Sequence, residues 1–397
     1  MSSPSSSPSF PRILVVGAGA IGCALARELA GRGAAPPVLD RAAPGMEASH
    51  AAAGLIAPQA EGLPAGPLLD LAIASRELYP SWSRELAAET GIDVGWRRIG
   101  VLRCDLEGGM DFSRFRGDPA LPLSASPSFE EAGPERISEL TLGLASGAAR
   151  RALWFPDDGI LDPRRLTHAL FASAANRGAR FVSGAAARRF LVEGGRCRGV
   201  ETDRGVFEAD VVVDAAGAWA AFDPESAPVP VRPVRGQIVD LRPGPPLLPV
   251  AIQSADAYLV PRPDGSLLVG STEEEAGFEK RVTAEGVSGL LAAAARLVPS
   301  LSRATFAGAW AGLRPGSPDG APILGPSGVA GLLLATGHFR NGILLAPITA
   351  RLVADAALGA LPPELAPFSV ARFGPAPSPN GPIGHAGADP AFRLESR

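Results

Sequence analysis

The chain contains a single lysine, Lys280, and every other basic residue is arginine, which we read as a bias of genomic composition. Cysteine, histidine and tyrosine are also scarce, at three, four and two in 397 residues. Cys23, Cys104 and Cys197 are scattered along the chain. That spacing indicates no disulfide framework, and with the histidines it gives no metal-ligand pattern, so no metal is expected. There is no basic excess either: 37 Lys and Arg stand against 41 Asp and Glu, a net charge of −4. Neither nucleic acid nor an anionic membrane is therefore an expected partner. No apolar run reaches the roughly 18–20 residues of a spanning helix. The opening MSSPSSSPSFPR has no positive n-region and no hydrophobic h-region, so it does not read as a secretory signal. A disordered Ser/Pro leader over 1–10 and a cytoplasmic location are the expectations.

Glycine (47) and proline (40) are abundant, and 46% of residues are hydrophobic. The length suits two domains or one large α/β unit with a sizeable core. Arg12-Ile-Leu-Val-Val is a short β-branched run that suits a buried parallel strand. It runs into Gly17-Ala-Gly-Ala-Ile-Gly22 and then a helical stretch closed by Gly31 and Gly33. Val38-Leu39-Asp40 reads as the next strand, with Pro36 and Pro37 tolerable only at its first residues or on an edge. A GxGxxG between strand and helix, with an acid ending the following strand, is the context that makes this motif a dinucleotide site. Gly17 permits the tight turn, Gly19 lets the backbone approach a pyrophosphate, and Gly22 lets the helix pack closely. The helix N-terminus faces the phosphates. Asp40 would accept from both ribose hydroxyls, which excludes a 2′-phosphate. The motif alone leaves NAD and FAD open. The small residues of Glu47-Ala-Ser-His-Ala-Ala-Ala-Gly54-Leu could lie under a flat ring system or form a helix packed through alanines.

Farther on, 61–150 holds helical patches over Leu68–Leu86 and Gly/Pro/Ser-rich breaks around 117–134. Asp162-Pro163 starts a helix running to Gly178, and strands are expected at Ala179–Val182 and Phe207–Val213. Residues 229–275 alternate like strands, with Tyr258-Leu-Val-Pro and Leu267-Leu-Val-Gly joined by the turn Pro263-Asp-Gly265. A helix over Val287–Leu297 follows, then a last apolar helix from Ile343 to Leu358. There is no internal repeat. The Pro/Gly tail over 374–397 is expected to be disordered.

Together with Asp214-Ala-Ala-Gly-Ala-Trp219, Trp310-Ala-Gly-Leu-Arg-Pro-Gly-Ser-Pro-Asp-Gly320 and Gly337-His-Phe-Arg-Asn-Gly-Ile-Leu-Leu-Ala-Pro347, these texts resemble the D-amino-acid oxidase family of FAD flavoproteins. Within it the likeness is to members that oxidise glycine for thiamine biosynthesis, over roughly residues 12–360. The resemblance implies an α/β fold in which a Rossmann-like FAD-binding domain (11–60, 150–225 and 305–365) is interleaved with an α+β substrate domain (61–149 and 226–304) on a mostly antiparallel sheet. It implies FAD contacts at Ala20, Ile21, Asp40, Arg41, Ala48, Ser49, Ala53, Gly54, Leu55, Ala187 and Gly217. The stretch His338, Phe339, Arg340, Asn341, Gly342, Ile343 and Leu344 would embrace the flavin. If Asn341-Gly342 starts the last helix, its unpaired N–H groups and positive end face the ring, with Pro347 in the first turns. Members with covalent flavin use a cysteine near 314–325, and this chain has none there, so the FAD is expected to be non-covalent.

For substrate, Arg314 matches the arginine that grips the carboxylate, a task suited to a planar, always-charged fork. Tyr258 matches a tyrosine lining the pocket, and Arg340 could assist at the carboxylate or pair with the cofactor. The implied reaction is hydride transfer from Cα to flavin N5, giving an imine, with dioxygen as acceptor and hydrogen peroxide as product. No base at Cα is then required, and positioning supplies the rate. His50 stands where relatives carry a small Ser or Thr, Glu273 falls near the pocket, and Asp256 stands where some relatives have His. Alternatives are a sarcosine or D-amino-acid oxidase, a quinone-linked D-amino-acid dehydrogenase, or a flavin-binding protein without turnover. A homo-oligomer is left open.

Overall fold

The computed structural model describes residues 10–106, 108, 115, 128–145, 147 and 149–374. The expected leader (up to residue 9), the tail from 375 and most of the breaks around 117–134 lie outside the described residues.

Apolar runs buried on both faces build the first sheet. Its six strands lie in the order Ile323–Pro326, Leu332–Thr336, Val211–Asp214, Ile13–Val16, Pro37–Asp40, Arg180–Ser183, parallel except for the first. Alternation along Ile13–Val16 explains why it is apolar throughout. Val15 joins a core with the helices Ala20–Gly31, Pro163–Asn176 and Ala346–Ala357. Leu14 and Val16 face a three-stranded sheet formed by Ala187–Glu193, Arg196–Thr202 and Gly205–Glu208. Pro37 is the first residue of an interior strand, one of the two placements its missing N–H allows. The helix Pro163–Asn176 is set by Asp162, whose carboxylate accepts from the N–H groups of Arg164 and Arg165.

An eight-stranded sheet runs Thr305–Gly316, Arg232–Arg242, Leu267–Gly270, Tyr258–Pro261, Ala251–Gln253, Val101–Asp105, Arg151–Phe155, Glu130–Ala132. It is antiparallel except where Ala251–Gln253 meets Val101–Asp105. Val239, Leu259 and Val269 pack under the helix Ala284–Leu297. Ile238, Val260 and Leu268 turn the other way, against Ala53, Ala57 and Ala60. The functional cleft lies on that second side. The architecture is thus mixed α/β, a Rossmann-like unit set against a mostly antiparallel sheet. Two strands from the segments expected in the cofactor unit, Arg151–Phe155 and Thr305–Gly316, hydrogen bond into the eight-stranded sheet.

The single strand expected over Phe207–Val213 is two strands in different sheets. Its chain passes between them at Ala209 and Asp210, whose N–H groups donate to Arg198 O and Arg12 O. The last helix begins at Ala346 rather than at Asn341–Ile343. Pro347 decides this: a helix begun at Ile343 would hold it past the first turn, where its ring collides with a carbonyl and an N–H is missing. Residues 339–345 form a 3-10 turn and turns instead.

Candidate active site

The glycine-rich turn is forced by close approach. Gly17 has φ +99°, and a Cβ there would lie 2.3 Å from the Ala215 carbonyl oxygen. A Cβ on Gly22 would fall 1.8 Å from Gly17 O, so Gly22 seats the helix on the turn and does not itself line the cleft. At Gly19 an added Cβ would meet only the Ser49 hydroxyl, at 3.4 Å. Its absence opens the floor of a cleft before the N-terminus of Ala20–Gly31, the positive end of that helix. Ser49 Oγ accepts from the Ala20 N–H at 2.9 Å. Asp40 accepts from Ala18 N–H at 2.7 Å and Ala42 N–H at 2.8 Å, while burial raises its carboxyl above the usual range. Each carboxylate oxygen keeps a further lone pair for a sugar hydroxyl.

One continuous cleft collects the residues singled out from the sequence. Gly17, Gly19, Ala20, Ile21, Asp40, Arg41, Ala187 and Gly217 line one end. Ala48, Ser49, Ala53, Gly54 and Leu55 line its wall, and Tyr258, Arg314 and His338 to Leu344 line the other end. Arg41 lies 3.5 Å over the Trp219 ring and pairs with Glu47, which also accepts from Lys280 at 2.8 Å. Because the last helix starts late, its end does not carry the expected N–H groups of Asn341 and Gly342. The turn is held from behind, with the Tyr79 hydroxyl donating to Ile343 O and the Ser75 hydroxyl to Leu344 O. His338 is buried against Thr349, with 3.1 Å between Nε2 and the hydroxyl. Burial lowers its pKa to about 3, so the ring is neutral at physiological pH.

At the far end the charges are arranged unequally. Arg314 donates to Thr272 O at 3.1 Å, Ser271 Oγ at 2.5 Å and Arg235 O at 3.4 Å. Among the described residues it has no carboxylate partner, and burial lowers its pKa from the usual guanidinium value. Arg340, whose side chain is 28% exposed, pairs with Glu61 at 3.3 Å and Glu273 at 3.5 Å. The Glu61 carboxylate is the first cause of a raised Arg340 pKa. The Tyr258 hydroxyl has no hydrogen-bond partner among the described residues. Its ring fills the space where a Gly270 Cβ would sit, 2.4 Å from its hydroxyl oxygen.

Three flagged residues fall outside the cleft. His50 stands on the short helix Ala48–Ala51, its carbonyl accepting from Arg164, and burial lowers its imidazole pKa. Glu273 does not line the cleft but pairs with Arg340, and Asp256 pairs at the surface with Arg296 at 3.1 Å. Conversely, Glu61, Ser271, Gly236 and Trp219 line the cleft without having been singled out as site residues. Trp219 ends one of the quoted motifs and Ser271 opens the run Ser-Thr-Glu-Glu-Glu275 that holds Glu273, whereas Glu61 and Gly236 are brought in by tertiary pairing and carry no local signal.

The donor set fits FAD: a helix N-terminus with a glycine floor, a carboxylate at the adjacent strand end, and a long wall of small residues. Among the described residues no helix is long and apolar enough to cross a membrane, and no His, Cys, Asp or Glu group could hold a metal.

Comparison with known proteins agrees with this geometry. Residues 12–356 match the family model described as FAD dependent oxidoreductase (DAO). The chain is 38% identical over 352 residues to the bifunctional protein ThiO/ThiG of Trichormus variabilis, covering 86% of this chain and 52% of that protein. It thus spans about half the length of such bifunctional relatives. It is 36% identical over 355 residues to a glycine oxidase of Pseudomonas aeruginosa, covering 88% and 96% of the two chains. The crystal structure of glycine oxidase from Geobacillus kaustophilus superimposes with a TM-score of 0.84 at 33% identity, over 92% of this chain and 99% of that one.

Proposed function

Because the chain belongs to the DAO family of FAD dependent oxidoreductases, we propose that it oxidises glycine or a similarly small amino acid in this cleft. The net reaction takes glycine, dioxygen and water to glyoxylate, ammonia and hydrogen peroxide, through an imine that hydrolyses. FAD is held without a covalent bond, and when bound it supplies at flavin N5 the acceptor for a hydride leaving the substrate Cα. We assign the turn from Gly17 to Gly22 and Asp40 to the pyrophosphate and ribose. Arg41 and Ala187 go to the adenosine side, and Ala48, Ser49, Ala53 to Leu55, Gly217 and His338 to Leu344 to the remaining length. The FAD-binding unit is taken as 11–60, 150–225 and 305–365, and the substrate unit as 61–149 and 226–304.

The observation that carries this reading is Arg314. Its half-buried guanidinium faces the cleft and, among the described residues, holds only carbonyl and hydroxyl partners, so a positive charge is left for an anion. A substrate carboxylate supplies that anion in a forked, charge-assisted pair. The Tyr258 hydroxyl, half-buried beside it, serves the carboxylate or amine. Neutral His338 adds no charge to the ring-binding end. These residues bind and orient the amino acid, and the rate comes from positioning. The relatives' names support glycine as substrate and a role in thiamine (thiazole) biosynthesis. Purified holoenzyme given glycine in air should form glyoxylate and peroxide in equal amounts. Failure to form either from glycine, sarcosine or D-alanine would overturn the reading.

A further inference from the structure

The substrate end of the cleft carries two arginines, Arg314 and Arg340, of which only Arg314 lacks a carboxylate partner among the described residues, and the difference lies in Glu61. We propose that Glu61 determines specificity by cancelling Arg340, so that Arg314 is the sole carboxylate anchor and substrates with a second carboxylate are rejected. The inference rests on the carboxylate role of Arg314 proposed above.

Glu61 is a built feature rather than a loose surface acid. Its side chain is 17% exposed and it lines the cleft itself, whereas Glu273, the other partner of Arg340, is 46% exposed and does not. The loop beneath it is pinned from inside. Asp158, fully buried, accepts from the Ala60 N–H at 2.9 Å and from Arg76 at 2.8 Å, and Arg76 also donates to Gln59. The Glu61 N–H donates to Ala57 O at 3.0 Å, which completes the turn. A carboxylate anchored this way stays on Arg340 at 3.3 Å and opposes any second anion near it. Glycine, with one carboxylate, meets no such opposition. Removing the Glu61 charge frees Arg340 to act as a second anion site.

The test compares acetate with malonate as ligands of the holoenzyme, read as dissociation constants from perturbation of the visible flavin absorbance, with no turnover needed. Glu61→Gln should raise the malonate-to-acetate affinity ratio at least roughly tenfold, the size of one charge pair at short range. Adding Arg340→Leu to that variant should return the ratio to within about threefold of the parent. Glu273→Gln, removing the exposed partner, should change the ratio by less than about threefold. An unchanged ratio in well-folded Glu61→Gln overturns the proposal, and so does a raised ratio that survives Arg340→Leu. If acetate fails to perturb the parent flavin at all, the Arg314 reading fails first, which separates the two failures.

Discussion

Replacing Arg314 with alanine removes the one cleft arginine that, among the described residues, has no carboxylate partner. In the free protein the change is mild. Arg314 contributes hydrogen bonds to Thr272 O, Ser271 Oγ and Arg235 O, and the last of these also accepts from the Glu274 N–H at 3.0 Å. Removing a half-buried cation also relieves its partial desolvation, so the fold and the flavin content should persist. With substrate bound, two charge-assisted hydrogen bonds are lost, about 3–4 kcal/mol in total. That corresponds to a fall of roughly 10²–10³ in kcat/KM, most of it in KM because the carboxylate does not react. Arg314→Lys should recover only part, since an ammonium cannot reproduce the fork. Oxygen uptake against glycine concentration measures this, with the flavin-to-protein ratio as control. An alanine variant that keeps its flavin and lies within threefold of the parent kcat/KM would refute the assignment.

Gly236→Ala tests the same site from behind, because its Cβ would lie 2.3–2.4 Å from the Arg314 guanidinium atoms. Displacing that fork by about 1 Å should cost between about tenfold and a hundredfold in kcat/KM, with the melting temperature almost unmoved. Asp40→Ala should weaken FAD by roughly ten- to a hundredfold, read from the fluorescence of released flavin on dilution. Asp214 is fully buried, one of its carboxylate oxygens has no partner among the described residues, and burial pushes its pKa up to about 7 from an ordinary 3.8. The folded protein therefore binds this proton more tightly than the unfolded chain. The resulting stability is complete below about pH 4 and is lost as pH rises to about 7. Relative to the parent, Asp214→Asn should gain melting temperature between pH 5 and pH 8, and an equal difference at both would contradict this.

Local chemistry made one end of the cleft legible. Gly17, Gly19, Gly22 and Asp40 are fixed by a single strand–turn–helix–strand unit, so their roles follow from spacing and the space a Cβ would need. Arg314 could be picked out from many arginines only by the motif around it. What sets it apart physically is that, among the described residues, no carboxylate pairs with it, a property of tertiary packing. Glu61 left no trace for the same reason: its place on Arg340 depends on Asp158 and Arg76, far from it in sequence. The break at Ala209–Asp210 escaped a periodicity argument because Gly205–Glu208 and Val211–Asp214 are both extended and only their partner strands differ. The late start of the last helix was readable in Pro347, whose position forbids a longer first turn. His50 lies outside the cleft on the four-residue helix Ala48–Ala51, its carbonyl accepting from Arg164, a placement the run of small residues did not specify.

The most direct measurement is the visible spectrum of the purified protein during anaerobic addition of glycine, sarcosine and D-alanine in separate experiments. Oxidised flavin bands should be present from the start, bleach fastest with glycine, and recover when air is admitted. Bands that none of the three amines bleaches would contradict the proposed amino-acid oxidase, and bleaching that air does not reverse would contradict dioxygen as its acceptor.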